Sequence, residues 1–281
     1  MKVPLKLTFR IIRKLRIISL GLSAAIALLI AALGYIAYYP NYTFHTFISV
    51  AIITGCALPA LLLHLESRRK KLIDSALPRL LEDLAESQEA GMTLLQALSE
   101  SSKRDYGPIN EELKILVAQL TWGVSFEEAF RSFSRRIGTA MTSRVTVLLL
   151  EAVRLGGDLK TAFKSTSEFV RKMIELRSER ETQLRAYLMV IYISTMIFIL
   201  VVVIMYQSLF VQMSSSQGQS SFMRLPLSIE TYKAYLFDLG IIEAVLGGFA
   251  AGKLSEGVTL YGLKHSVIML LVVVFVFTFF F

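Results

Sequence analysis

The chain has 281 residues, of which 54% are hydrophobic and only 19% are charged, whereas ordinary soluble domains are roughly 25% charged. No Asp, Glu, Lys or Arg occurs in residues 17–65, 186–223 or 265–281. Because about 20 consecutive apolar residues are enough to cross a bilayer as a helix, these stretches exclude a soluble enzyme or a secreted domain. The composition predicts an all-α, polytopic membrane protein.

The apolar stretches predict five transmembrane helices. Their approximate bounds, in chain order, are 17–39, 46–65, 186–212, 234–252 and 265–281. A basic tail and the first two spans make up residues 1–66. A charged helical domain occupies residues 67–185, and the last three spans lie in residues 186–281.

The basic residues predict how the chain crosses the membrane. Residues 1–16 contain six Lys and Arg and no acid, and positive charge beside a first span is typical of the cytoplasmic side. We therefore expect the N-terminus and residues 66–185 to be cytoplasmic and residues 213–233 to be external, in a cell membrane. The tail is expected to contact anionic lipids rather than nucleic acid.

The charged domain contains one pattern three times, at a spacing of 32–33 residues. The copies are Gly91-Met-Thr-Leu-Leu-Gln-Ala-Leu, Gly123-Val-Ser-Phe-Glu-Glu-Ala-Phe and Gly156-Gly157-Asp-Leu-Lys-Thr-Ala-Phe. Glycine is favoured just after a helix ends, where the backbone φ is positive, and Thr, Ser or Asp is a good N-cap for the next helix. The repeat therefore predicts structural turns with positive φ at Gly91, Gly123 and Gly156.

Between these turns the apolar residues recur with helical periodicity. Six helices are predicted, at about 72–90, 93–104, 108–122, 125–136, 139–155 and 158–185, and they form a bundle with one apolar core. The last helix meets no Gly or Pro before residue 218. It is expected to continue into the third span as a rod over residues 158–212, roughly 80 Å long. A hinge near Arg185 is the alternative.

The chain shows no arrangement of residues typical of an active site. His45, His64 and His265 lie near the ends of predicted spans and share no ligand spacing. We therefore expect neither an enzyme nor a bound metal or cofactor. Glu243 lies within the fourth span, where an acid is costly. It is either a packing residue or the proton or ion site of a transporter.

The fourth span also contains a glycine pattern. Gly248-x-x-x-Gly252 favours close packing of helices in lipid. The run from Gly247 to Lys253 is similar to the start of a phosphate-binding loop, but Leu254 follows where a Ser or Thr would hold magnesium. Helix packing is therefore the preferred interpretation.

Several motifs together resemble one known family. They are Glu89-Ala-Gly91-Met-Thr-Leu94, Lys103-Arg-Asp-Tyr-Gly-Pro108, Trp122-Gly123-x-Ser125-x-x-x-Ala129-Phe130, Glu151-Ala-x-Arg154-x-Gly156-Gly157-Asp158 and Ala251-Gly-Lys-Leu-Ser-Glu-Gly257. In these motifs the chain is similar to single-domain archaeal members of the type II secretion system F-domain family, the membrane platform proteins of type IV pilus and archaellum assembly. The resemblance covers about residues 70–280. Larger family members have two cytoplasmic F domains where this chain has one.

The resemblance implies a non-enzymatic scaffold that couples a cytoplasmic hexameric secretion ATPase to the assembly of pilin-like subunits. It also implies an oligomer, formed with itself or with another F-domain protein. The exposed charges that could face the ATPase include Arg131, Arg135, Arg136 and Arg154. Two other functions stay open: a membrane transporter or channel that uses Glu243, and a membrane-tethered helical-repeat adaptor, because the repeat period is near that of tetratricopeptide arrays.

Overall fold

A computed structural model describes residues 9–38, 43–215 and 229–280, and within these ranges the chain is helical with no strand. The α-helices are α1 Phe9–Tyr38, α2 Thr43–Glu89, α3 Leu94–Ser101, α4 Asn110–Thr121, α5 Phe126–Ile137, α6 Ala140–Arg154, α7 Leu159–Ser215, α8 Ile229–Glu256 and α9 Leu263–Phe280. Two short 3-10 helices cover Gly107–Ile109 and Thr259–Gly262. The all-α prediction is confirmed.

Among the residues that the structure describes, five helices are long and apolar enough to cross a membrane. Their candidate spans lie within Ile18–Ala37, Phe44–Glu89, Leu159–Ser208, Thr231–Glu256 and Thr259–Phe279. The number and order agree with the five spans predicted from the uncharged stretches. The chain is therefore a multi-pass membrane protein.

Some predicted boundaries were wrong. The second span and the first helix of the charged domain form one helix, α2, because charged side chains do not interrupt backbone hydrogen bonding. Glu66 and Lys70 even support the junction as an i,i+4 ion pair of 2.8 Å. Likewise, much of the segment between the fourth and fifth predicted spans, residues 253–264, is helical. The basic residues Lys2 and Lys6 and most of the predicted external segment 213–233 lie outside the described residues.

The chain divides into two compact units. Unit 1 contains Leu65–Arg180 and the described part of Met1–Ile12; unit 2 contains the described parts of Arg13–His64 and Glu181–Phe281. Unit 1 is built around one apolar core, to which α2 through α7 contribute. The apolar residue that closes each copy of the repeat lies in this core: Leu98, Phe130 and Phe163 are all buried. Burying a side chain of this size contributes roughly 1.5–3 kcal/mol.

Within unit 1, α2 and α7 pack antiparallel. Lys160 Nζ lies 2.6 Å from Glu89 Oε1, and Arg177 Nη1 lies 3.6 Å from Asp74 Oδ2. The start of α7 therefore lies beside the end of α2, and a later part of α7 lies beside an earlier part of α2. Because the connections between the intervening helices are short, those helices alternate in direction as well.

In unit 2, α8 and α9 form a hairpin whose backbones approach closely. A Cβ atom placed on Gly252 would lie 2.1 Å from Cα of Gly262, and one on Gly248 would lie 2.2 Å from Oγ of Ser266. Only glycine fits at such distances, which explains the spacing of the two glycines. Farther along the hairpin, Phe237 and Phe277 pack with ring centroids 4.9 Å apart.

This geometry predicts that Gly252→Ala destabilises the protein because the added methyl group collides with the backbone of the 3-10 helix Thr259–Gly262, which precedes α9. Overpacking of this kind costs about 1–3 kcal/mol, so the unfolding temperature in detergent should fall by roughly 2–12 °C. Gly247→Ala is the matched control, since its Cβ would lie 3.5 Å from Met269 Sδ, an ordinary contact. Equal melting temperatures for the two variants would contradict the close packing.

Candidate interaction surface of unit 1

Each copy of the repeat forms the same helix-ending turn. The N–H of Gly91, Gly123 and Gly156 donates to the carbonyl three residues earlier, and the N–H of the following residue donates to the carbonyl five residues earlier, at 2.9–3.1 Å. This pair of bonds defines the Schellman motif, which satisfies carbonyls at the end of a helix. The φ angles are +83°, +82° and +71°. Positive φ at these three glycines is therefore confirmed.

Two residues after each of these glycines, a side chain caps the N-terminus of the next helix. Thr93 Oγ1 accepts from the N–H of Gln96 at 3.3 Å, and Gln96 Oε1 accepts from the N–H of Thr93 at 2.9 Å, which completes a capping box. Ser125 Oγ accepts from the N–H of Glu128 at 3.3 Å. Asp158 accepts from the hydroxyl and the N–H of Thr161, and these hydrogen bonds lower the pKa of its carboxyl group.

Gly157 has a different role from the other repeat glycines. A Cβ atom at this position would lie 3.0 Å from the carbonyl oxygen of Ala152. The third turn is thus closed tightly against the last turn of α6, whereas a Cβ on Gly156 would meet nothing within 4 Å. Lack of space, rather than positive φ, favours glycine at position 157.

The three turns lie together at one end of unit 1, which we call the turn end. Lys160, just after the third turn, contacts Glu89, just before the first. Arg154 Nη2 lies 2.9 Å from Oε1 of Glu127, just after the second turn. Because α2 and α7 are antiparallel, this end is opposite the part of unit 1 that contains residues 65 and 180.

Two large apolar side chains are exposed at the turn end. Trp122 is 88% exposed and Leu155 is 84% exposed. Each directly precedes the glycine of its repeat copy, so the two occupy equivalent positions. Tryptophan and arginine are enriched among the residues that dominate protein interfaces. The exposure of this pair was not predicted from the sequence, although the position of both residues directly before a repeat glycine is a signal that could have identified them.

Two of the predicted arginines converge on one acid. Arg131 Nη2 and Arg154 Nη2 lie 2.8 Å and 2.9 Å from the same oxygen, Oε1 of Glu127. The hydrogen bond from Arg131, with the charge of Arg154, lowers the pKa of the Glu127 carboxyl group. All three side chains are largely exposed, so the cluster adds little to stability. It does hold two guanidinium groups in a defined arrangement on the surface.

The other two arginines differ from each other. Arg135 is exposed and makes no ion pair with the described residues. Arg136 was expected to be exposed, but its side chain is only 25% exposed and bonds to Glu112 at 2.8 Å. It also donates to Ser132. The sequence could not show this because Glu112 comes from the preceding helix, α4. Arg136 therefore joins α4 to α5.

The connection between α3 and α4 is held by a buried tyrosine. The hydroxyl of Tyr106 donates to Asp83 of α2, whose carboxylate also lies 3.0 Å from Arg104 Nη1. Burial and the bond to Asp83 raise the pKa of Tyr106 to about 12. The motif Lys103–Pro108 thus has a structural role, which sequence reasoning did not assign.

Glu243 belongs to unit 2 and forms a polar contact between two helices. Its Oε1 accepts from the Thr195 hydroxyl of α7 at 2.8 Å, and its Oε2 is buried without a hydrogen-bond partner in the described part of the chain. This contact favours the packing interpretation. Over the same described ranges, no group of three or more His, Cys, Asp and Glu is arranged to hold a metal ion.

The turns predict a difference between two substitutions of Gly123. A Cβ at this position would meet nothing within 4 Å, so Gly123→Val tests backbone conformation alone. It should lower the unfolding temperature of the full chain in detergent by roughly 2–8 °C. Gly123→Asn should cost clearly less, because asparagine tolerates positive φ. If valine and asparagine melted alike, positive φ would not be what the turn requires.

Comparisons with known proteins agree with this architecture. Residues 80–207 match the family model of the type II secretion system (T2SS), protein F. An uncharacterized protein of Methanocaldococcus jannaschii is 29% identical over 204 residues, which cover 72% of this chain and 33% of that protein. Flagella accessory protein J of the same organism is 25% identical over 128 residues, 45% of this chain and 23% of that protein.

The chain thus aligns with a third or less of the length of these two curated relatives. No solved structure matches it. The match to protein F spans unit 1 from the second half of α2 onward and extends through most of α7, so it contains all three repeat turns. Residues 80–207 therefore match the F-domain family of the type II secretion system.

Proposed function

We propose that this chain is a non-enzymatic membrane platform protein of a type IV pilus-like filament or type II secretion machine, and that it couples a cytoplasmic secretion ATPase to the assembly of pilin-like subunits. One observation supports the proposal: residues 80–207 match the F-domain family model, and the described residues contain five candidate membrane helices. The similarity to a flagella accessory protein supports the archaellum branch of this class.

Coupling requires a part that can transmit motion. The helices α2 and α7 each run without a break from residues of unit 1 into an apolar span, and α7 has 57 residues. A continuous helix resists bending because every internal peptide group is hydrogen-bonded along its axis. We propose that α7 carries displacement from the F domain toward the membrane.

The ATPase would contact the turn end. Trp122 and Leu155 are exposed apolar side chains that could anchor the ATPase there. In the Arg131–Glu127–Arg154 cluster, Glu127 fixes two guanidinium groups that could bind acidic residues of the ATPase. Arg135 lies on the same helix as Arg131, near its last turn, and makes no ion pair with the described residues. Arg136 has no part in this contact, because it is engaged with Glu112.

The proposal requires unit 1 to be cytoplasmic and residues 213–233 to be external. In a Cys56→Ser background, Lys114→Cys should react with a membrane-impermeant maleimide only after the cells are opened, whereas Ser216→Cys should react in whole cells. Lys114 is suitable because its side chain is exposed on α4. The reverse labelling would invert the topology and remove the proposed ATPase contact.

The coupling itself is tested by an insertion after Arg185. Two inserted glycines should abolish filament extension, seen by electron microscopy, because they soften α7, while expression and ATPase co-purification stay normal. Inserting Ala-Ala at the same place is the matched control: it makes the same change of register but keeps the helix stiff. Normal filaments with the glycine insertion would show that α7 is only a tether.

A further inference from the structure

The helix α6 exposes a face whose residues complement themselves. Val147 and Leu148 are 52% and 43% exposed at its centre. Arg144 lies three residues before Val147, and Glu151 lies three residues after Leu148; both are exposed. The four residues follow the i, i+3, i+4, i+7 spacing of one helix face. We call Arg144, Val147, Leu148 and Glu151 the α6 face.

We propose that unit 1 pairs with a second copy of this chain through antiparallel contact of the two α6 faces. A two-fold axis between Val147 and Leu148 places Arg144 opposite Glu151 of the partner subunit and repeats that pair on the other side. Both charges lie about 5 Å along the helix from the axis. An isologous interface needs this self-complementarity, because each subunit presents the same patch.

The charges of the α6 face are available for such pairing. Arg144 makes no ion pair with any residue in the described ranges. Among the described residues, Glu151 forms an ion pair with Arg154 alone, at 3.3 Å, and both side chains are more than half exposed. An ion pair between exposed side chains contributes little free energy in water. Replacing the Glu151–Arg154 ion pair with one between Glu151 and Arg144 of the partner subunit therefore costs little free energy.

The surroundings of α6 can receive side chains from a second helix. A groove of about 520 Å³ separates α6 from α5, and another of about 580 Å³ separates α6 from α7. Val147 lines both grooves, and Phe169 adds an apolar wall to the second. Helices pack when the ridges of one enter the grooves of the other. The α6 face therefore combines grooves, an apolar centre and opposed charges.

This inference does not depend on the proposed ATPase coupling. The ATPase contact was assigned to the turn end around Trp122 and Arg131, whereas self-pairing uses the middle of α6. Glu151 contacts Arg154 of the turn-end cluster, so loss of self-pairing and loss of ATPase binding are separated with Arg144→Glu, because Arg144 makes no ion pair with any described residue.

The first test is cross-linking of the full-length chain in its native membranes. The chain has one cysteine, Cys56, so a Cys56→Ser background reports only the introduced thiol. Leu148→Cys lies beside the proposed axis and should give a cross-linked dimer with a short bis-maleimide. Lys114→Cys, exposed on α4, should give none above background.

The second test reverses the charges in the Leu148→Cys protein. Arg144→Glu alone, or Glu151→Arg alone, places like charges opposite each other at both symmetry-related positions. Each should lower the fraction of cross-linked dimer on the order of tenfold. The double variant, Arg144→Glu with Glu151→Arg, recreates both pairs and should restore the dimer to within about twofold. Lys114→Glu, the same charge change on α4, should have no effect.

The proposal fails if Leu148→Cys gives no more dimer than Lys114→Cys, or cross-links to a protein of different mass. It also fails if the double variant stays as low as the single variants while their unfolding temperatures match the parent. All these positions are exposed, so folding should survive each change.

Discussion

The need to satisfy backbone hydrogen bonds inside a membrane shapes the whole protein. Hydrocarbon offers no hydrogen-bond partners, so each span must bond its own N–H and C=O groups as a helix. Helical bonding does not depend on whether the side chains are apolar or charged. The helices α2 and α7 therefore continue from apolar spans into charged segments without a break. This continuity is the physical basis on which coupling is proposed.

Where helices must stop, the same local solution is used three times. A Schellman turn closes one helix, and a hydroxyl or carboxylate caps the next within two residues of the glycine. Such compact turns make neighbouring helices antiparallel and bring all three turns to one end. The apolar residue before Gly123 or Gly156 then has no helix to cover it. The repeat of the turn therefore also leaves Trp122 and Leu155 exposed at the turn end.

The charged side chains of unit 1 are arranged differently at the turn end and on the α6 face. At the turn end, Arg131 and Arg154 are held by Glu127 and face solvent together. Arg136 is instead used inside the bundle. On α6, opposite charges stand at equal distances from an apolar centre. The first arrangement is the basis for the proposed ATPase contact, and the last is the basis for the proposed contact with a second copy; Glu151, which contacts Arg154, lies between the two surfaces.

The sequence by itself determined the membrane class, the five spans and the three repeat turns. Apolar length and the pairing of glycine with an N-cap are local properties that need no tertiary contact to be read. The tertiary structure decided which arginines are exposed, because burial of Arg136 depends on Glu112 of another helix. It also decided that Arg154 meets Glu127, 27 residues away. Such contacts depend on which helices become neighbours and how each is rotated, and the period of one helix does not contain that information.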